Sequence, residues 1–213
     1  KRVPARIEDF TCRRMVSFKE GQLALCVRAE RIASSAPDEI AVKVQLRDDA
    51  PNSAYTWPVM EAVFVLKAAP PDVGPVSVTP LSKPRSVHWT GRDVYPARLC
   101  SGRRLRGVSF VEAWSENGLD YQVFVPPLAG NVVFTRFPVW VVNPLLMAVV
   151  VSGFALWRSH ERFAGAFSLP FRMRRMELPA TAPAEGARLN CYLRLTGVTP
   201  KSQLCDISVT DGN

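Results

Sequence analysis

The sequence is poor in the side chains that enzymes use most often for acid–base and metal chemistry. It has 2 histidines, His88 and His160, among 213 residues, and its 5 cysteines form no Cys-x-x-Cys pair. Such a set lacks the closely spaced ligands of a zinc site, so we expect no metal centre. The chain also has no Gly-Lys-Ser/Thr phosphate loop and no Gly-x-Ser-x-Gly nucleophile turn. These absences argue against zinc-dependent, nucleotide-hydrolysing and serine-hydrolase functions.

Acidic residues are fewer than basic ones. The chain has 19 Asp and Glu residues and 27 Lys and Arg residues, which gives a net charge of +8. The basic residues form short clusters, and no run reaches the length typical of a nucleic-acid-binding tail. We therefore expect no nucleic acid partner. The excess charge indicates solvated strand faces and a basic rim that meets an acidic protein. The odd number of cysteines suits a reducing compartment, which predicts a cytoplasmic location.

One long apolar segment fits either a membrane or a protein interior. Residues 137–157 carry no charge and are numerous enough to span a bilayer. Pro138, Asn143 and Pro144 interrupt them, and proline suits the first turn of a helix. A helix over residues 144–158 is about 22 Å long at 1.5 Å per residue, short of the ~30 Å that a bilayer needs. The segment therefore predicts a buried core helix without a membrane partner; a single-span membrane protein is the alternative.

Period-two alternation predicts antiparallel strands before and after this helix. It is clearest over residues 22–30, 42–47, 169–178, 188–195 and 203–210. Residues 68–90 contain five prolines and no periodicity, which is typical of a linker. We therefore predict a first unit at 1–67, a linker at 68–90, and a second unit at 91–213 with its core helix at about 144–158.

A short internal repeat relates the two units. Arg-Arg-Met at 13–15 recurs at 174–176, and Glu-Gly at 20–21 recurs at 185–186, each pair leading towards an alternating strand. An apolar helix wrapped by one curved antiparallel sheet is the hot-dog architecture, and two such units form a double hot-dog. The expected fold class is therefore α+β, a double hot-dog whose first unit is incomplete, because the first unit has strands but no apolar helix.

Two windows resemble the signature motifs of one enzyme family. Residues 99–107 follow Tyr95 and match both glycines of a Phe-His-Gly-Pro-x-Phe-x-Gly stretch. Residues 143–151 match the leucines and the alanine of a Pro-x-Leu-Leu-Asp-Ala-x-x-Gln stretch. In order and spacing, roughly residues 5–213 resemble a dehydratase domain of a polyketide or polyunsaturated-fatty-acid synthase.

The resemblance implies a reaction whose reactive side chains are missing here. Family dehydratases remove water from a 3-hydroxyacyl chain on a phosphopantetheine arm. A histidine takes the α-proton, and an aspartic acid on the core helix protonates the leaving hydroxyl. Ser101 stands at a histidine position, Met147 at that of the acid and Val151 at that of the glutamine. We therefore expect no catalytic residue and no bound cofactor. The remaining matches imply framework positions: Tyr95, Gly102, Gly107 and Pro144.

The resemblance thus implies a catalytically inactive, dehydratase-like domain of a multidomain polyketide or fatty-acid-type synthase. Its roles would be scaffolding, dimerisation or docking of an acyl carrier protein. The expected partners are other synthase domains, the carrier protein and a second copy of the chain, with Arg103, Arg104 and Arg106 as the contact for an acidic carrier. The alternative is an active hydro-lyase, a 3-hydroxyacyl dehydratase, or an isomerase, whose base lies outside these residues.

Overall fold

The structure is a computed structural model that describes residues 2–14, 24–34, 36–48, 57–69, 71, 74–97, 99, 102, 105–128, 142–160, 171–199 and 202–211. The chain divides into two compact units. The first consists of Lys1–Val73 and Pro170–Thr181, and the second of Gly74–Leu169 and Ala182–Asn213.

The first unit is built on one antiparallel sheet. Its strands are β1 (Val3–Cys12), β2 (Leu25–Ile32), β3 (Ile40–Asp48), β4 (Met60–Lys67) and β8 (Arg172–Glu177), in the order β2-β3-β4-β1-β8. Apolar side chains share one face because the register places Val42 opposite Phe64 and Leu46 opposite Met60. The other face is mixed, because Gln45 lies opposite Glu61 there and buried Ala41 lies opposite buried Val65.

A buried ion pair joins β1 to the residue before β3. The guanidinium of Arg6 donates to both carboxylate oxygens of Glu39 at 2.6 Å, and Lys67 lies 3.1 Å from the same carboxylate. The Glu39 side chain is only 4% exposed. Its hydrogen bond with Arg6 outweighs the effect of burial and lowers the pKa of Glu39 to about 2. Both partners are therefore charged at neutral pH.

The second unit contains a sheet and the long apolar helix. Its elements are β5 (Arg85–Thr90), α1 (Gly91–Ala97), β6 (Val108–Ser115), β7 (Gly118–Phe124), α2 (Pro144–His160), β9 (Arg188–Val198) and β10 (Gln203–Asp211). The antiparallel sheet has the order β10-β9-β7-β6-β5. Helix α2 contacts β6, β7, β9 and β10. Val149, Leu156 and Trp157 of the helix are at most 1% exposed, so the core of this unit lies between α2 and the sheet.

Three details differ from the sequence prediction. Strand β5 lies within residues 68–90, which we predicted as a linker. The prediction missed it because a short, largely polar strand between prolines has the same sequence pattern as an extended linker. Strand β8 pairs with β1 in the first sheet, although we placed residues 169–178 in the second unit, because periodicity does not identify a strand's partner. The helix α1 was not anticipated. A short strand expected at 132–134 lies outside the described residues.

The part of the apolar segment from Pro144 onward forms a helix that packs against the sheet of the second unit. Helix α2 begins at Pro144, as predicted, and ends at His160, close to the predicted end. Within the described part of the chain, no helix is both long enough and apolar enough to cross a membrane.

Candidate functional site

The first turn of α2 is fixed by Asn143. Its side-chain oxygen accepts hydrogen bonds from the backbone N–H groups of Leu145 and Leu146 at 2.9 and 3.0 Å. Its side-chain amide donates to the carbonyl of Pro126 at 3.0 Å. Asn143 therefore caps the helix, and it also ties the helix start to the chain that follows β7. Pro144 occupies the first helical position, where its missing N–H costs nothing.

Met147 and Val151 lie one helical turn apart, so they share a face of α2. Both are half-buried, whereas Leu146, Val149 and Val150 on the sheet side are buried. Ala148 is also half-buried. The positions that the resemblance marks as reactive thus share one partly exposed face, and they carry a thioether and an isopropyl group.

Neither histidine is described beside Met147. His88 lies in β5, where its Nε2 is 2.5 Å from the hydroxyl of Ser86 and its ring is tilted against Phe110. His160 is the last residue of α2, and its side chain is not described. No charged residue occurs between Pro144 and Trp157. The described part of α2 therefore carries no acid or base near Met147.

The motif before β6 places Tyr95 in the core. Tyr95 is 8% exposed, and its hydroxyl oxygen accepts a hydrogen bond from the N–H of Val108 at 2.7 Å. Burial raises the pKa of this phenol, although the backbone bonds oppose the shift. The guanidinium of exposed Arg106 lies 5.5 Å from the centre of the Tyr95 ring. The predicted positions Ser101, Arg103 and Arg104 lie outside the described residues.

The two motif glycines differ in their surroundings. A Cβ on Gly107 would come within 2.7 and 2.8 Å of the two γ-carbons of Val149 on α2. A Cβ on Gly102 would meet no atom within 4 Å. Gly107 is therefore required where the backbone before β6 approaches the helix, whereas Gly102 has no packing reason to be glycine.

Tyr121 is a buried tyrosine that sequence reasoning missed. Its ring lies against Gly153, where any Cβ would overlap it, and its hydroxyl donates to the carbonyl of Val150. Cys191 lies opposite it in the β7–β9 register and is fully buried. A glycine in the middle of an otherwise apolar helix was the signal that another group packs there.

Two tryptophans hold the second half of α2 by exchanging hydrogen bonds. The indole N–H of Trp114 donates to the carbonyl of Trp157 at 3.1 Å, and the indole N–H of Trp157 donates to the carbonyl of Ser115 at 2.8 Å. Both rings are at most 4% exposed. The helix is therefore fixed at its start by Asn143, in its middle by Tyr121 and near its end by this pair.

The buried titratable groups under α2 are held in their neutral forms. Burial raises the pKa of Tyr121 well above its ordinary value, and it raises the pKa of Cys191 to about 12.

The carboxylates of Glu112 and Asp120 line a shallow groove with Tyr192, and Asp120 pairs with Arg194 at 2.6 Å. Among the described residues, no cluster of His, Cys, Asp and Glu is suited to a metal ion.

This arrangement of sheet and helix occurs in solved structures. The dehydratase domain from the CurH module of curacin polyketide synthase matches with a TM-score of 0.62 and 17% identity, over 99% of this chain and 72% of that one. The chain has the fold of polyketide synthase dehydratase domains. The dehydratase domain of PpsC from Mycobacterium tuberculosis, solved in complex with C12:1-CoA, matches at 0.60 and 15% identity, over 98% and 70%. The erythromycin dehydratase matches at 0.54 and 14% identity, over 97% and 69%.

These matches confirm the predicted fold class, since the neighbours share the arrangement over nearly all of this chain. No protein-family model matches the sequence. No curated protein matches it either. The dehydratase fold, predicted from two degenerate motifs, is therefore established from the structure. The roles of Tyr95, Met147 and Val151 are still predictions.

Proposed function

We propose that this chain is a dehydratase-like domain of a multidomain polyketide or fatty-acid-type synthase and does not itself catalyse dehydration. The half-buried face of α2 carries the proposal, because Met147 and Val151 occupy the positions that the resemblance assigns to the proton-handling pair. Dehydration needs one group to take the α-proton and another to protonate the leaving hydroxyl, and each is worth about 10²- to 10⁴-fold in rate. A thioether and an isopropyl group do neither.

The described neighbours of α2 do not supply a replacement pair. Tyr121 and Cys191 lie on the sheet side of the helix, away from Met147, and burial keeps both protonated at neutral pH. The Tyr95 hydroxyl faces the backbone of Val108. These placements support a domain that retains the framework of a dehydratase without its chemistry.

Such a domain still has binding and scaffolding roles. We propose that it holds other synthase domains in place, dimerises with a second copy, and docks an acyl carrier protein through the basic segment at residues 103–106. Arg106 supports this role because it is exposed and its guanidinium lies over the Tyr95 ring, so the charge is positioned at the surface. Any substrate would arrive on the phosphopantetheine arm of the carrier, and the domain needs no cofactor of its own.

The proposal is tested by Met147→Ala in the natural synthase polypeptide. We expect the yield of the synthase product to stay within about twofold of wild type, since the side chain contributes no proton transfer. Circular dichroism and the thermal midpoint of the isolated variant serve as the folding control. Loss of product in a folded variant would contradict the proposal and would favour an active dehydratase or isomerase whose base lies outside these residues.

The docking role is tested by Arg106→Glu. Charge reversal at a steering surface should weaken binding of an acidic acyl carrier protein, measured by titration at low and at high salt. Arg188→Glu is the matched control, because Arg188 is also exposed and lies on β9 of the same unit. If both variants bind the carrier like wild type, the basic segment is not the docking site.

A further inference from the structure

The groove on the sheet of the second unit lies on the side away from α2. Six of the residues that line it each stand next in sequence to a buried core residue of the same strand, and side chains alternate between the two faces of a sheet. These six are Phe110 and Glu112 from β6, Asp120 and Gln122 from β7, and Asn190 and Tyr192 from β9. The groove is therefore separate from the face of α2 that carries Met147.

On its β9 side, the groove already holds a guanidinium group of this chain. Arg194 donates to the carboxylate of Asp120 at 2.6 Å, and its guanidinium lies 5.9 Å from the centre of the Tyr192 ring. A carboxylate beside an aromatic ring is a favourable setting for a cation, because the ring face carries partial negative charge. The Arg194 side chain is only 10% exposed, so this side of the groove is filled.

On its β6 side, the groove repeats the same two groups. Glu112 is exposed, and among the described residues none forms an ion pair or a hydrogen bond with it. Phe110, two residues away on the same face of the sheet, supplies the aromatic ring. None of the described guanidinium groups lies over that ring. The combination that holds Arg194 on one side is thus present on the other without a described cation.

The ring and one further acceptor on the β6 side are held by their neighbours. The ring of His88 packs against Phe110 with 5.8 Å between the ring centres, and His88 Nε2 lies 2.5 Å from the hydroxyl of Ser86. Gln122 is opposite Phe110 in the register, and its side-chain amide donates to Asn190 at 3.2 Å. The carbonyl oxygen of Gln122 is therefore oriented and can accept from a ligand. Groups that are ordered in advance lower the entropic cost of binding.

An arginine side chain matches these groups better than a lysine does. Its planar guanidinium stacks on an aromatic ring and carries five N–H donors, which suit the carboxylate of Glu112 and the oxygen of Gln122. Charges more than about 8 Å away are largely screened at physiological ionic strength. The net charge of +8 therefore does not prevent an arginine from binding beside Glu112.

We infer that the β6 side of this groove binds an arginine side chain of a partner polypeptide, with the guanidinium against the Phe110 ring and hydrogen-bonded to the carboxylate of Glu112. Arginine is one of the residues that most often anchor protein–protein interfaces. The inference depends neither on the catalytic state of the domain nor on carrier docking at residues 103–106.

The test is an NMR titration of the isotopically labelled protein with two peptides of blocked termini, Gly-Gly-Arg-Gly-Gly and Gly-Gly-Lys-Gly-Gly. The arginine peptide should shift the backbone amide signals of Phe110, Glu112 and Gln122, and it should bind about three- to fivefold more tightly than the lysine peptide. Glu112→Gln should weaken binding of the arginine peptide about three- to fivefold, the size expected for one exposed charge pair. Phe110→Leu should abolish the preference for arginine over lysine.

Glu116→Gln is the matched control, because it makes the same charge change at an exposed residue in the turn between β6 and β7, outside the groove. It should leave the affinity for the arginine peptide unchanged. Thermal melting shows whether each variant is folded, and if Phe110→Leu is not, the Glu112 variant decides alone. Absence of binding, equal affinity for the two peptides, or equal effects of the changes at 112 and 116 would overturn the inference. So would self-association that the arginine peptide reverses, because the groove would then hold an arginine of a second copy.

Discussion

Replacing Gly107 by alanine tests the closest approach between the backbone and α2. The new Cβ would lie 2.7 and 2.8 Å from the γ-carbons of Val149 and 3.2 Å from the carbonyl oxygen of Phe124. Val149 is fully buried, and a valine in a helix has essentially one rotamer, so it cannot turn away. The helix or the loop must therefore shift. We expect the free energy of unfolding to fall by about 1–3 kcal/mol, as for other overpacked cores.

The predicted stability loss of Gly107→Ala can be checked by combining that change with Val149→Ala. Val149→Ala alone removes two methyl groups and should cost about 2 kcal/mol. It also removes both atoms that the alanine at 107 would strike, so Gly107→Ala with Val149→Ala should cost about 1–2 kcal/mol less than the sum of the single changes. Urea unfolding followed by the fluorescence of the buried Trp114 and Trp157 gives each value.

Gly102→Ala is the matched control for this cycle. Both glycines belong to the same motif, but a Cβ at 102 meets nothing within 4 Å. It should therefore change stability by no more than about 0.5 kcal/mol. The reasoning is refuted if Gly107→Ala is as mild as Gly102→Ala, or if the costs at 107 and 149 simply add.

The remaining predictions concern the ion pair and the helix supports. Glu39→Gln should lower stability at pH 7 by about 3 kcal/mol, because Arg6 stays buried without its main partner. The Glu39 pKa is lowered from 4.5 to about 2, so its contribution is complete above pH 4.5 and is lost as the pH falls towards 2. Urea unfolding at pH 7 and pH 2 should show the gap between wild type and variant closing, and a constant gap would contradict this. Asn143→Ala should cost about 1 kcal/mol in the same assay, and no loss would mean that the cap is not formed. Tyr121→Phe should also cost about 1 kcal/mol by deleting the bond to Val150, and a neutral result would contradict that bond.

The sequence was sufficient to predict the helix and the alternating strands. The uncharged segment after Pro144 predicted a core helix, because proline suits the first helical position and apolar side chains suit a buried helix. The structure adds that Asn143 caps this helix. Gly107 was named only as a framework position implied by the resemblance, and the structure supplies a physical reason for it in the close approach to Val149.

The pairing of strands and the contacts across the core were not predictable in the same way. Strand β8 has the pattern of any half-exposed strand, and only the folded chain shows that Met176 lies opposite Ile7 in the first sheet. Tyr121 likewise looked like an ordinary inward-facing strand residue. Its bond to the helix depends on Gly153 lying one turn beyond Val150, which is a property of packing rather than of local pattern.

The side chain of Met147 suits its half-buried place on α2. A carboxyl group at position 147 would need a hydrogen-bonding partner in its half-buried setting, whereas methionine packs without one. The side-chain hydrogen bonds that hold α2 to its surroundings, from Asn143 to Trp157, do not involve the side chains of residues 147 or 151.

The most direct measurement is a single-turnover assay in which excess purified protein is mixed with a 3-hydroxyacyl pantetheine thioester and the enoyl product is quantified. We predict a rate indistinguishable from that of buffer, and the same rate for Met147→Ala. Formation of the enoyl thioester faster than in buffer, whether or not a folded Met147→Ala variant retains it, would contradict the account.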